Sequence, residues 1–159
     1  MKAIRWIVFA SLVLAPAVHA QQRAVATSQP AAGTARADIA PSALRDAALT
    51  VAQAVDAGQA AQLWQSASSV ARGAVTQQAF VDSVVASRKP FGKAAQRQWS
   101  DIRLRDVAVQ QGATTPPGRY GSVEFDTQFG GRKAHELVSF RLDEDGQWRF
   151  AGYVIEPRS

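Results

Sequence analysis

Apolar positions recur every three or four residues through residues 42–92, which is typical of helices that bury one face. The first helix is predicted to follow Ser42, which can cap it, and to end at Gly58, where a left-handed residue belongs. A short second helix is predicted around Trp64, and Thr76 is positioned to cap a third. The first half of the folded region is therefore predicted to be helical.

From Trp99 onward, apolar positions alternate with polar ones, which is the period of a strand with one buried face. The alternation shifts by one residue near Asp106, and this shift predicts a β-bulge there. Residues 123–129 alternate most regularly, and Gly130-Gly131 predicts a tight hairpin after them. A third strand follows, and Gly146 can supply the left-handed residue of the next turn.

In the last strand, we expect Trp148, Phe150 and Val154 on one face and Tyr153 and Ile155 on the other. Such a mixed face could pair with a second copy of the chain, so the sequence leaves a homodimer open. Helices followed by an antiparallel meander of about four strands predict an α+β fold. Because neither layer hides its apolar surface alone, we expect the helices to cover a curved sheet and form a cone-like domain with a cavity.

The chain is predicted to have three parts. Residues 1–20 have a basic start, a short apolar run and small residues at the end, as in a secretory signal peptide. We expect cleavage after Ala20 (Ala17 is the alternative), export to the periplasm and no transmembrane segment afterwards, since a spanning helix needs roughly 20 apolar residues. An uncleaved membrane anchor is the competing interpretation. Residues 21–41 are rich in Ala, Gln and Pro and predict a disordered spacer, whereas residues 42–159 predict one α+β domain.

The composition excludes several kinds of chemistry. The 159 residues include no cysteine, which excludes disulfides, cysteine nucleophiles and thiolate metal sites. Loss of Lys2 and Arg5 with the signal lowers the basic residues from 18 to 16 against 13 acidic ones, a net charge of +3. This excess is too small to predict nucleic-acid binding. His19 is also lost, and with His135 alone we predict no metal site and no cofactor.

Short motifs with a common order extend over residues 45–156. They are Gly58, Leu63-Trp64, Arg88-Lys89-Pro90-Phe91-Gly92 with Arg97, Gly118-Arg119-Tyr120, Phe125, Phe129, Glu136, Asp145-Gly146-Gln147-Trp148-Arg149 and Gly152-Tyr153. Together they resemble a bacterial family known as domain of unknown function 4019. The resemblance implies an exported single-domain protein and implies no reaction. The order of elements also resembles nuclear-transport-factor-2-like (NTF2-like) or cystatin-like folds, an analogy of architecture that does not determine activity.

Glu136 is the most informative candidate, because the alternation places it on the same face as Val138 and Phe140. A carboxylate on an apolar face must be paired, protonated or close to water. It is therefore either a pocket acid or one half of a structural ion pair, for which Arg97 and Arg88 are the natural partners.

Tyr120, Trp148 and Tyr153 complete the set of candidate pocket residues, because aromatic rings with polar groups can line a ligand cavity, although such residues also pack in cores. The basic segment 88–97 could bind an anion or form a solvated face. His135 leaves the strand on the face opposite its neighbour Glu136, so the two side chains cannot form a catalytic dyad.

These observations favour a non-catalytic envelope module that binds a small ligand or a protein partner. One alternative is a dimerising structural protein. The other is a small isomerase- or hydrolase-like enzyme with Glu136 as general base and Tyr120 or Arg97 steadying negative charge. The enzyme alternative fails if an arginine neutralises Glu136 and the side chain is sealed from solvent.

Overall fold

The computed structural model describes residues 38–111 and 114–158, so the predicted signal peptide and most of the predicted spacer lie outside the described residues. No helix in these ranges is long and apolar enough to cross a membrane. Four helices precede four strands, which confirms the predicted α+β class. The elements are α1 (Pro41–Asp56), α2 (Ala60–Gln65), α3 (Ser69–Ala74), α4 (Gln77–Arg88), β1 (Ala94–Val107), β2 (Gly118–Phe129), β3 (Arg132–Leu142) and β4 (Trp148–Arg158).

The helix starts are set by different residues. Ala40 is the N-cap of α1, and Pro41 lies in the first turn, where its missing N–H removes no helical hydrogen bond. The predicted cap at Ser42 is therefore wrong, because that residue is already inside the helix. Thr76 caps α4 as predicted, with its hydroxyl accepting a backbone N–H. Ser68 caps α3 in the same way, and that short helix was not predicted.

The strands form one antiparallel sheet in the order β1-β2-β3-β4. The predicted alternation of β2 is confirmed by the burial of Val123, Phe125, Thr127 and Phe129. The bulge predicted at Asp106 is wrong, since Asp106 pairs in register with Arg119. Register shifts occur instead after Ala94 and after Trp99. The apparent phase change arises because Val107, the last residue of β1, is in phase with Arg103 and Arg105 rather than with the apolar positions before it. Val109 lies beyond the end of the strand, where it is 84% exposed.

The predicted face pattern of β4 is also wrong. A register shift against β3 makes Ala151 an extra residue, which reverses the phase of the strand. The bulge brings Tyr153 and Ile155 to the same buried face as Phe150 and leaves Val154 48% exposed. The mixed apolar face that suggested a homodimer is therefore not formed.

All four helices contribute to a core on one face of the sheet, here called the inner face. Leu44 from α1 and Val84 from α4 are buried there, and the ring of Phe80 lies 5.7 Å from that of Phe150. The opposite face, called the outer face, carries side chains such as that of Leu137, which remains partly exposed. Within the described residues, no helix covers the outer face.

Candidate functional site

Glu136 lies in the centre of the inner face and its side chain is 0% exposed. Its two carboxylate oxygens accept hydrogen bonds from three side chains. Arg97 approaches through two nitrogens, with Nε 2.6 Å from Oε2 and Nη2 3.2 Å from Oε1. The Tyr153 hydroxyl donates to Oε1 at 2.6 Å, and the Thr127 hydroxyl donates to Oε2. The buried carboxylate is thus paired and fully hydrogen-bonded.

The ion pair extends toward the helices through Asp56 at the end of α1. Arg97 donates to Asp56 at 3.1 Å, and Arg88 at the end of α4 donates to the same carboxylate at 2.7 Å. The guanidinium carbon of Arg88 also lies 4.4 Å from the centre of the Phe129 ring, a cation–π contact. Arg97 is therefore the direct partner of Glu136, whereas Arg88 joins the network through Asp56.

The strand register explains how these side chains meet. Arg97 is the cross-strand partner of Thr127, and Phe125 is that of Glu136, so the groups occupy adjacent rows of the inner face. The bulge in β4 then turns Tyr153 inward, where its hydroxyl reaches Glu136. Without that extra residue the strand phase would place Tyr153 on the outer face.

The network determines the protonation of its members. Burial alone would raise the pKa of Glu136, but the hydrogen bonds from Arg97, Thr127 and Tyr153 outweigh burial and lower that pKa below its usual value. Burial would lower the pKa of Arg97, but the bonds to Glu136 and Asp56 raise it. Burial raises the pKa of the Tyr153 hydroxyl, and the charge of Glu136 raises it further. Glu136 is thus ionised and Tyr153 is a neutral donor.

This arrangement does not suit general-base chemistry. Glu136 has no exposed surface, and Arg97 neutralises its charge. A general base must come within hydrogen-bond reach of the proton that it removes from a substrate. Glu136 is therefore both neutralised by an arginine and sealed from solvent, and the alternative that uses it as a general base fails.

Two predicted pocket residues lie elsewhere. Tyr120 is on the outer face, where its hydroxyl donates to the carbonyl of Pro116 at 2.9 Å. Trp148 packs against the core and pairs with Leu142 of β3. Leu142 is six residues from Glu136 along that strand, a separation of about 20 Å at the rise of a strand. The structure brings together Glu136 with three of the five other predicted residues. Asp56 and Thr127 were missed, because neither stands in a motif with the residues that it contacts.

The outer face contains several hollows. The one near the β2–β3 hairpin, here called the glutamine hollow, has a volume of about 470 Å³ and is lined by Gln96, Gln98, Asp126, Thr127, Gln128, Lys133, Ala134 and Arg158. A hollow of about 190 Å³ includes Tyr120. His135 lines a third and lies 3.2 Å from Glu124, so it is on the outer face, opposite Glu136. The basic segment 88–97 does not form one continuous surface, because Arg88 and Arg97 point into the Glu136 network.

Comparison with known proteins identifies the family of the chain. No curated protein matches the chain. The family described as protein of unknown function (DUF4019) matches residues 47–153, about two thirds of the 159 residues. The match includes the whole Glu136 network, and the chain belongs to this family.

Proposed function

We propose that this protein is a non-catalytic, exported module of the cell envelope that binds a ligand or partner on the outer face of its sheet. The observation that carries the proposal is the contrast between the two faces. Helices cover the inner face and seal Glu136, whereas no described element covers the outer face. Binding is therefore assigned to the outer face rather than to a cavity beneath the helices.

The shape and chemistry of the outer face support this assignment. The glutamine hollow has about 470 Å³, within the range of roughly 300–1,000 Å³ that is usual for ligand pockets. The surface around it has charges of both signs, including the pairs of Arg103 with Asp101 and of Arg158 with Asp126. Charged groups on a surface contribute specificity when a partner has complementary groups.

The two alternatives have less support. The dimerising role was suggested by a mixed face on β4, and the bulge at Ala151 removes that face. The enzymatic role needed an accessible Glu136, which is buried and paired with Arg97. Neither is therefore proposed.

Binding is tested by thermal shift against a panel of envelope metabolites and by capture from envelope extract. Gln98→Trp places a bulky ring in the glutamine hollow, where Gln98 faces Asp126. Gln53→Trp places the same ring on an exposed position of α1 and is the matched control. We expect Gln98→Trp to weaken binding at least ten-fold and Gln53→Trp to leave it unchanged. Silence in both assays, or equal binding by both variants, would contradict the proposal.

Export is tested by the intact mass of the protein recovered from the periplasm. We expect a mature chain that starts at Gln21, after cleavage at the small-residue site. A mass that retains Met1 would contradict export with cleavage.

A further inference from the structure

The glutamine hollow is rich in uncharged hydrogen-bonding groups. Gln96 is the cross-strand partner of Gln128, and Gln128 is that of Lys133, so two amides and one ammonium group form a row across three strands. Gln98 lies in the adjacent row, opposite Asp126. A glutamine side chain offers two N–H donors and one carbonyl acceptor, the same groups that a peptide bond offers and requires.

Most of this hydrogen-bonding capacity is unused within the described residues. The Gln128 amide nitrogen donates to the carbonyls of Gly130 and Arg132 at 2.7 and 3.2 Å, which leaves its oxygen as an acceptor. No partner is found in the described residues for the side chains of Gln96 and Gln98. The hollow can therefore bind donors and acceptors of a ligand without breaking existing bonds.

The hollow also has one uncompensated positive charge. Arg158 is paired with Asp126, so these two lining groups neutralise each other. Lys133 has no carboxylate partner in the described part of the chain. An ammonium group next to free amides is suited to a ligand that has amide groups and one carboxylate.

We infer that the glutamine hollow binds a short peptide by its carboxyl-terminal end. The amides of Gln96, Gln98 and Gln128 would pair with peptide N–H and C=O groups, and Lys133 would bind the terminal carboxylate. The lining residues include no aromatic ring on which a sugar could stack, so a peptide suits them better than a carbohydrate. The inference rests on the proposed function, because it names the ligand class of the outer face.

The experiment is calorimetric titration of the exported protein with trialanine, trialanine amide and glucuronate. We expect trialanine to bind and its amide to bind at least ten-fold more weakly, because amidation removes the charge that Lys133 contacts. Lys133→Gln should weaken trialanine binding to the level of the amide and leave amide binding unchanged. Lys93→Gln, which removes the same charge outside the hollow, should behave like the wild type.

A second variant tests the amides separately. Gln98→Leu should weaken trialanine and its amide by similar factors, since the side chain contacts the peptide groups that both share. Thermal melts of all three variants check that each is folded. Failure of trialanine to bind, equal binding of the acid and the amide, or binding of glucuronate alone would overturn the inference.

These outcomes separate the ligand class from the proposed function. If trialanine fails to bind but Gln98→Trp still abolishes capture of an envelope component, the glutamine hollow binds something other than a peptide terminus. If capture and thermal shift are also silent, both proposals fail.

Discussion

Glu136 is kept ionised in the core because three neighbours replace the water that it loses. Removing a carboxylate from water costs several kcal/mol, and the attraction of an arginine offsets that cost only when the remaining lone pairs are also satisfied. Here Arg97 supplies two donors, and Thr127 and Tyr153 supply one each. The group is therefore a structural centre of the domain, and its replacement should be measured as lost stability.

Glu136→Gln is expected to destabilise the protein by about 3 kcal/mol, near the lower end of the range for a broken buried ion pair. The loss is limited because Asp56 still pairs with Arg97. A cost of this size corresponds to a fall in melting temperature of roughly 10 °C for a domain of this length. Urea unfolding and thermal melts measure both quantities.

Glu156→Gln is the matched control, because Glu156 is an exposed residue of β4 on the outer face. A surface change of this kind should alter the free energy of unfolding by less than about 0.5 kcal/mol. Equal melting temperatures for wild type and Glu136→Gln would remove the structural interpretation of the pair.

Tyr153→Phe removes one donor to Glu136 and keeps the ring that packs in the core. We expect the free energy of unfolding to fall by about 2 kcal/mol, because a hydrogen bond to a charged group contributes roughly 1.5–3 kcal/mol. Chemical unfolding at neutral pH measures the change. An unchanged midpoint would mean that the hydroxyl bond contributes nothing measurable.

At the scale of elements, the close contact of α1 with the sheet depends on a glycine in β2, which has no side chain. A Cβ added to Gly121 in β2 would lie 2.9 Å from a methyl group of Leu44 and 3.1 Å from one of Leu104. Leu44 is fully buried, so its side chain cannot turn outward into solvent to make room. Glycine at this position therefore lets the helix approach the strand closely.

Gly121→Ala should destabilise the protein by about 1–2 kcal/mol through overpacking. The control is Gly152→Ala on β4, since an added Cβ there meets nothing within 4 Å. Thermal melts should show a lower melting temperature for the first variant and an unchanged or slightly higher one for the second. A similar effect of both substitutions would mean that the helix is not pressed against the strand.

The elements also show what a sequence can predict. The alternation of β2, the helix cap at Thr76 and the left-handed turn residue Gly146 were predicted because each depends on residues that are adjacent in the chain. The bulge at Ala151 was not, because a bulge is defined by the pairing with the neighbouring strand. Asp56 was missed for the same reason, since its partner Arg97 is 41 residues away.

The candidate binding surface was the part least accessible from the sequence. Glutamines have no motif that marks them as ligands, and Gln96 and Gln98 come together with Gln128 only through the register of β1 and β2. Glu136, by contrast, stood out because a carboxylate on an apolar face contradicts the pattern around it. Sequence analysis thus named four of the six side chains of the buried network and none of the glutamines of the exposed hollow.

At the scale of the whole molecule, the Glu136 network connects most of the fold. One side chain comes from each strand and one from each of the two longest helices: Asp56 (α1), Arg88 (α4), Arg97 (β1), Thr127 (β2), Glu136 (β3) and Tyr153 (β4). A network of this kind forms only when the strand register and both helices are in place. It should therefore contribute to the specificity of the fold as well as to its stability, a role that buried polar groups have in some proteins.

The network also predicts how stability depends on pH. The pKa of Glu136 in the folded protein lies below its usual value, so the unfolded chain binds a proton at higher pH than the folded chain does. The contribution of Glu136 is fully present above the unfolded pKa of about 4.3 and is lost as the pH falls through the lower, folded pKa. We therefore expect the free energy of unfolding to be steady from pH 7 to about 5 and to decrease below that.

The comparison of wild type with Glu136→Gln isolates this group, because glutamine does not titrate. Urea unfolding between pH 7 and pH 3 should show a shallower acid-side decline for the variant, so that the two stability curves converge at low pH. Other carboxylates add to the decline in both proteins, including Asp145, whose pKa the bond from Arg149 lowers to about 2. Parallel curves would mean that protonation of Glu136 is not coupled to unfolding. The apolar core alone would then determine the fold, and the network would be a set of contacts that forms afterwards.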